Sequence, residues 1–223
     1  MKRVSHWLGR VWKRFFDVTV AIAALVVFAP MFGLIAVAIK VSSPGPVLFS
    51  QERIGWQGRT FRIIKFRSMV HHAQYLRNRD GSAYSADTDQ RVTRLGRLLR
   101  QSSLDELPQL WNVVRGEMSL IGPRPELAEG IESYRPADFR RLNVRPGMTG
   151  WAVVHGRNDV PISMRRELDT WYADRAGFLL DLKILCKTIA TVVVREGINR
   201  TGGPPLPDAS EHAMEAQRCS TEN

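Results

Sequence analysis

Asp105 and Glu106 form an adjacent carboxylate pair followed closely by Pro108, and guanidiniums placed by proline- and glycine-containing turns lie further along the chain. Arg124 is clamped between Pro123 and Pro125, Arg145 precedes Pro146, and Arg157 follows Gly156. A fixed backbone loses less entropy when its Arg is immobilised on a ligand, and the planar guanidinium fork suits phosphate oxygens. Carboxylates beside anchored Arg residues point to phosphoryl chemistry with a divalent cation, since a carboxylate approaches a diphosphate only where charge is neutralised. The simpler account of the pair, and by itself the stronger one, is that acidic residues in a first helical turn complement the helix dipole. The placed guanidiniums tip the balance towards chemistry.

Asp87-Thr88-Asp89 offers a competing carboxylate pair, of the D-x-D kind that chelates a metal in nucleotide-sugar glycosyltransferases. That chemistry needs a parallel nucleotide-binding sheet, and no alternation of strand and helix precedes the motif. His71 and His72 have no partner at ligand spacing and read as surface residues. A Gly-rich dinucleotide fingerprint, a P-loop and an HExxH pair are all missing, which argues against ATP hydrolysis, hydride transfer and zinc proteolysis. Cys186 and Cys219 are too few and too badly placed for a disulfide framework or a zinc site.

The elements that position these groups begin with a 223-residue chain of 44% hydrophobic and 24% charged residues, enough for one domain with a real core. Its net charge of +10 requires an anionic partner: nucleic acid, anionic lipid or a phosphate-rich substrate. The Arg residues keep company with Gly-Pro turns and carboxylates rather than with stacking aromatics, so nucleic acid is not the expected partner. A basic, non-enzymatic membrane-surface module is the alternative from another class.

Val18 to Ile39 carries no charged residue and is bounded by Asp17 and Lys40. As a straight helix it is long enough to cross a hydrocarbon core about 30 Å thick. Lys-Val-Ser-Ser-Pro follows it where a signal peptide would have a small-residue cleavage site. Pro30, near its middle, removes a backbone donor and forces a bend. Basic residues stand on both flanks, Lys2, Arg3, Arg10, Lys13 and Arg14 before it and Lys40, Arg53, Arg59, Arg62, Lys65 and Arg67 after it. A true span collects positive charge on its cytoplasmic side alone. The segment is therefore predicted to enter the membrane, bend at Pro30 and return to the same face as a re-entrant hairpin.

Val47–Arg53 and Thr60–Met69 flank Gly55-Trp56-Gln57-Gly58 and read as a β-hairpin. Period two puts Lys65 and Arg67 on one face, where a solvated, charge-protected edge is the ordinary explanation. Arg91–Arg100 sets Leu95, Leu98 and Leu99 among arginines, which suits a basic amphipathic helix on anionic lipid or beside a polyphosphate. Ser103-Leu104-Asp105-Glu106 has the form of a capping box opening a helix through Trp111 towards Arg115. Short helices are expected at Glu126–Tyr134 and Pro136–Leu142. Helices are also expected around Met164–Tyr172 and over Phe178–Val194, the last packed or interfacial because Asp181, Lys183 and Lys187 interrupt it. The fold class is α+β and predominantly helical, with residues 1–40 as basic N-terminus and membrane helix, 41–199 as catalytic domain and 200–223 as a disordered tail.

Together these stretches resemble the bacterial sugar transferases known as monotopic phosphoglycosyl transferases. The resemblance rests on Lys65–Met69 (KFRSM), Arg91–Arg100 (RVTRLGRLLR), Ser103–Val113 (SLDELPQLWNV), Gly116–Pro125 (GEMSLIGPRP), Arg145–Trp151 (RPGMTGW), Gly156–Asn158 (GRN) and Leu180–Leu185 (LDLKIL). It runs from about Lys13 to Gly197. It implies a re-entrant helix and amphipathic interfacial helices around a cytosolic catalytic face, on a bacterial inner membrane. By length the chain resembles the family's smallest, single-domain members, without the added N-terminal membrane domain of larger relatives. The family's Asp-Glu dyad falls on Asp105 and Glu106. The resemblance implies that Asp105 attacks the β-phosphate of a UDP-sugar, expels UMP and carries a covalent phosphosugar, which polyprenyl phosphate then takes up. Glu106, with Asp105, is expected to hold Mg²⁺, while Lys65, Arg67, Arg100, Arg124, Arg145 and Arg157 are expected to bind substrate. The expected partners are the UDP-sugar, polyprenyl phosphate, membrane lipid and downstream glycosyltransferases. Two departures stand out: Ala29 replaces the family's usual Ser before the bend proline, and Val153 and His155 replace Gln and Asn in the W-A-Q-V-N-G-R pattern.

Overall fold

The computed structural model describes residues 2–73, 76, 89–156 and 160–194. The 200–223 tail, Asp87 and Arg157 lie outside the described residues.

Two helices, α1 (Lys2–Val27) and α2 (Ala29–Ser42), meet at Phe28, and the stretch Val11–Val27 bends by 62° from α2. Pro30 sits in the first turn of α2, where a missing backbone donor costs nothing, while in an unbroken helix its ring would collide with the preceding turn. The break therefore falls just before the proline. Among the described residues no single helix is long and apolar enough to cross a membrane. The arms diverge as a chevron instead of folding back against each other, so the expected hairpin is a bent pair. Phe15, Val26, Val27, Leu34, Val37 and Val41 are exposed along it.

Both arms are tied to the same body. Lys13 donates to Asp181 at 2.7 Å, Arg14 to the carbonyls of Val113 at 2.7 Å and Val114 at 3.1 Å, and buried Asp17 accepts from the Ser119 hydroxyl at 2.7 Å. At the other arm, Ile35 and Ile39 pack with Phe66 and Leu99.

The hairpin is as expected: β1 (Leu48–Ile54) pairs antiparallel with β2 (Thr60–Phe66), and Gln57 takes a left-handed φ of 57° in the turn. Phe61 and Ile63 project from β2 into a core with Ala21 of α1 and Leu110, Val113 and Met118. The amphipathic helix α3 spans Arg94–Gln101, starting later than its arginines suggest because the Thr93 hydroxyl caps it by accepting from Gly96 N at 2.9 Å. Leu99 is buried in it, but Leu98 is 63% exposed and faces away from the core.

The capping box does not form. Leu104–Glu106 is a single 3₁₀ turn entered through Ser103 at φ 56°, and the helix proper, α4, covers Gln109–Arg115. Pro108 is the physical reason: in an α-helix begun at Leu104 its ring would clash with the carbonyl four residues back. Two further 3₁₀ stretches, Ala128–Ser133 and Asp138–Asn143, stand where short helices were expected. They are followed by α5 (Ile162–Arg175) and α6 (Phe178–Val194). A parallel pair that the sequence reading does not contain joins β3 (Ser119–Ile121) to β4 (Gly147–Thr149).

Asn112 docks α4 onto the hairpin. Fully buried, it accepts from Ile64 N at 3.1 Å and donates to Arg62 O at 2.8 Å and to Glu117 at 2.7 Å, taking the place of a third strand. Asn112→Ala strands both main-chain groups of β2, each at about 1–3 kcal/mol, so a loss of about 2–6 kcal/mol is expected in denaturant unfolding of the detergent-solubilised protein.

Candidate active site

Lys65 leaves β2 on the face that carries Phe61 and Ile63, and that face turns inward towards the 3₁₀ turn of the carboxylate pair. Its ammonium donates to Glu106 Oε1 at 2.9 Å. From the opposite side Arg124 donates to the same carboxylate, Nη2 to Oε1 at 2.7 Å and Nη1 to Oε2 at 3.4 Å. Burial resists the ionisation of Glu106, but Arg124 and Lys65 outweigh it and hold the carboxyl well below its ordinary range. Burial also lowers the Lys65 ammonium, against the pull of Glu106.

Asp105 is different. It is 8% exposed, and among the described residues its carboxylate makes no hydrogen bond or ion pair. Burial pushes its pKa up; Lys65, Arg100 and Arg124 pull it down and Glu106 pushes it up, with the result at about 6. Neighbouring carboxylates with their affinities driven apart are the pattern of a site in which each has its own task. Here Glu106 is a fixed anion, and Asp105 is a carboxylate free to act near neutral pH.

Arg100 completes the surround. Its Nε donates to the Ser68 hydroxyl at 2.8 Å, and its charge reaches Asp105. Gly96 makes the placement possible, because a Cβ there would collide with the Ser68 carbonyl and push α3 away. Three cations, Lys65, Arg100 and Arg124, thus face two carboxylates, leaving an excess of one positive charge suited to an incoming diphosphate.

Arg124 is fixed through its backbone. Gly122 N donates to Thr149 O at 2.9 Å and Gly147 N to Pro123 O at 2.9 Å, which stitches the two proline turns together. A Cβ on Gly122 or Gly147 would strike the other turn's backbone, so these positions require glycine. Ile54 N donates to Glu126 O at 2.9 Å, closing the segment against β1.

Two other expected phosphate binders, Arg67 and Arg145, go elsewhere. The strand ends at Phe66, and Arg67 turns back to the end of α2, donating to Pro44 O at 2.7 Å, Ser43 O at 2.8 Å and Ser43 Oγ at 3.0 Å. Arg145 donates to Gly116 O at 2.9 Å and stacks over Trp56 at 4.7 Å, at the end of α4 away from the dyad. Asp89 is buried and bound by Arg91 through Nε at 2.9 Å, Nη2 at 2.6 Å and its main-chain N at 3.0 Å, so the D-x-D has one carboxylate already committed. Sequence reasoning missed Glu126, Arg141, Arg166 and Asp169, a buried charge cluster behind Arg124. The GPRP motif followed directly by Glu126 was the one signal that could have drawn attention there.

Residues 8–195 match the family described as bacterial sugar transferase. The chain is 43% identical over 193 residues to the uncharacterized sugar transferase EpsL of Bacillus subtilis, covering 86% of this chain and 92% of that one. It is 40% identical over 201 residues to the exopolysaccharide production protein ExoY of Sinorhizobium fredii, covering 85% and 89%. Against the undecaprenyl-phosphate glucose phosphotransferase of Komagataeibacter xylinus it is 43% identical over 203 residues, 83% of this chain and 36% of the longer protein.

The raised pKa of Asp105 has a consequence for stability. A carboxyl whose pKa is higher folded than unfolded favours folding while it is protonated in both states, below about pH 4, and that contribution is lost as pH rises to about 6. In the presence of a chelator, Asp105→Asn is expected to raise the melting temperature above pH 6, by at most about 3 kcal/mol of stability, and to change it little at pH 4. Thermal melts of both proteins across that range provide the check.

Proposed function

This chain belongs to the bacterial sugar transferase family, and we propose that it transfers a phosphosugar from a UDP-sugar to polyprenyl phosphate, releasing UMP. The observation that carries this reading is Asp105, a buried carboxylate with no hydrogen-bond partner among the described residues, ringed by cations that its neighbour Glu106 helps to fix. In the first step an Asp105 oxygen attacks the β-phosphorus, the bond from that phosphorus to the bridging oxygen breaks, and UMP leaves with the bridging oxygen. In the second, a phosphate oxygen of the polyprenyl phosphate attacks the same phosphorus and the Asp105 carboxylate departs, giving a polyprenyl diphosphate sugar. Dividing the transfer in this way keeps the two anionic substrates apart. Arg124, Arg100 and Lys65 offset the charge of the diphosphate.

Asp105, whose carboxylate makes no bond among the described residues, fits what Mg²⁺ accepts, one or two carboxylates with substrate phosphates and water in the remaining positions. Glu106 would join Asp105 through Oε2, which takes only the longer 3.4 Å contact from Arg124. They would hold the ion, which when bound supplies charge neutralisation at the phosphates.

The bent helix pair supports a membrane-seated enzyme. With the 62° bend shared equally, an arm of 14 residues at ~1.5 Å per residue lifts the apex by about 11 Å, inside one leaflet of a hydrocarbon core about 30 Å thick. Both arms return to one body through Lys13, Arg14 and Arg67, as a re-entrant pair on the cytoplasmic face of the inner membrane would require. The exposed apolar residues of α1 and α2, with Phe178 and Leu179 of α6, then meet lipid. The product would serve downstream glycosyltransferases in building a surface polysaccharide, in keeping with the exopolysaccharide and undecaprenyl-phosphate functions that the relatives' names carry.

Detergent-solubilised protein, given Mg²⁺, polyprenyl phosphate and a panel of UDP-sugars, is expected to release UMP from one donor. Asp105→Asn is expected to lose that release by at least ~10³-fold while melting as a folded protein. UDP in place of UMP, or an active Asp105→Asn enzyme, would overturn the reading.

A further inference from the structure

Arg124 reaches Glu106 with its side chain, but its backbone is gripped from behind. The Arg141 guanidinium is only 3% exposed and donates to four oxygens: Glu126 Oε1 at 2.6 Å, Tyr134 Oη at 2.6 Å, Asp169 Oδ2 at 2.6 Å and Arg124 O at 2.8 Å. Among the described residues no other side chain donates to that carbonyl. A guanidinium can span four acceptors in a plane; an ammonium on a flexible stem cannot.

The acceptors belong to separate parts of the fold. Glu126 follows the proline turn, Tyr134 lies just past the first late 3₁₀ stretch, Asp169 is on α5, and Arg141 itself is in the second 3₁₀ stretch. Arg166, also on α5, braces Glu126 through Nε at 3.2 Å and Nη2 at 2.8 Å and holds Ser133 O at 2.9 Å, but has no bond to Arg124. The other oxygen of Asp169, Oδ1, is buried without a partner, so Arg141 gives that carboxylate the one hydrogen bond it receives among the described residues. A buried cation serves stability poorly unless its surroundings saturate it. Here four of its five N–H groups, those on Nη1 and Nη2, are paired, and Nε lies buried without a partner among the described residues. One of the four goes to the carbonyl of the dyad's arginine.

We propose that Arg141 is a positioning residue for the transfer reaction, transmitting the rigidity of α5 and its charge cluster through the Arg124 carbonyl to the Arg124–Glu106 pair. The proposal rests on the reading of Asp105 and Glu106 as the reacting dyad. It assigns the neighbouring Arg166, equally buried and in the same cluster, a purely structural part.

That contrast supplies the test. Arg141→Lys and Arg166→Lys, each in the full chain, are compared for melting temperature, kcat and KM for the UDP-sugar, alone and combined with Arg124→Ala in a radiolabel assay of single-turnover sensitivity. Both single variants are expected to melt lower. Arg141→Lys is expected to lower kcat about 10- to 100-fold, the scale on which a small misplacement of a reacting group is felt, while Arg166→Lys stays within about 3-fold of the parent. In the Arg124→Ala background Arg141→Lys is expected to lower kcat no further, because the side chain it positions is gone. Should Arg141→Lys fail to fold, Tyr134→Phe removes one anchor of the guanidinium, and a smaller loss of kcat, again absent in the Arg124→Ala background, is expected. Equal kcat losses in Arg141→Lys and Arg166→Lys, or losses that multiply with Arg124→Ala, would overturn the proposal. An active Asp105→Asn enzyme would instead overturn the reading beneath it.

Discussion

A carboxylate that leaves water must find its charge answered, and Glu106 is answered twice, by Lys65 at 2.9 Å and by Arg124 at 2.7 Å. Those two cations come from a strand and from a proline turn, 41 and 18 residues away in the chain. Satisfying one carboxylate thus forces β2, the 3₁₀ turn of the dyad and the Gly122–Pro125 turn to converge. It also separates the roles of two neighbouring acids. Glu106 keeps its charge through its partners, while Asp105, buried beside the same cations, has no bond of its own among the described residues and its pKa is pushed up to about 6.

The rest of the catalytic face reads as support for that convergence. Asn112 extends the hairpin with an amide in place of a strand and so fixes α4, which follows the dyad's turn, against β2. Gly122 and Gly147 let two proline turns touch backbone to backbone, and Gly96 lets α3 lie against Ser68, from which Arg100 takes its direction. Arg141 closes the arrangement from behind. None of these groups touches the dyad carboxylates, yet each limits where a cation can stand.

The helix pair obeys a different constraint. Many of its exposed residues are apolar, and several of its polar ones are spent on the body: Arg14 on the open carbonyls at the end of α4, and Lys13 and Asp17 in the network that reaches Asp181 and Ser119. Arg67, from beyond β2, holds the carbonyls at the end of α2. Helix ends held by side chains from elsewhere make the arms rigid extensions of the catalytic body. In the proposed function this holds the site at a set height over the lipid surface that delivers the acceptor.

The sequence by itself determined what local chemistry dictates. Pro30 broke the apolar helix, period-two patterning with a glycine-flanked turn made the hairpin, and Asp105 and Glu106 stood out as an adjacent pair near arginines set by proline. Pro108 also carried the information that no helix could begin at Leu104, a steric fact available before any coordinates. What only the tertiary structure decided is which charges meet. Lys65 and Arg67 are two residues apart and share an expected face, yet one turns to Glu106 and the other to the carbonyls ending α2, because the strand stops between them at Phe66. The same holds for Arg124, which joins the dyad, and Arg145, which caps α4 instead. Electrostatic pairing depends on distances across the fold and on burial, and neither is written in the spacing of residues along a chain.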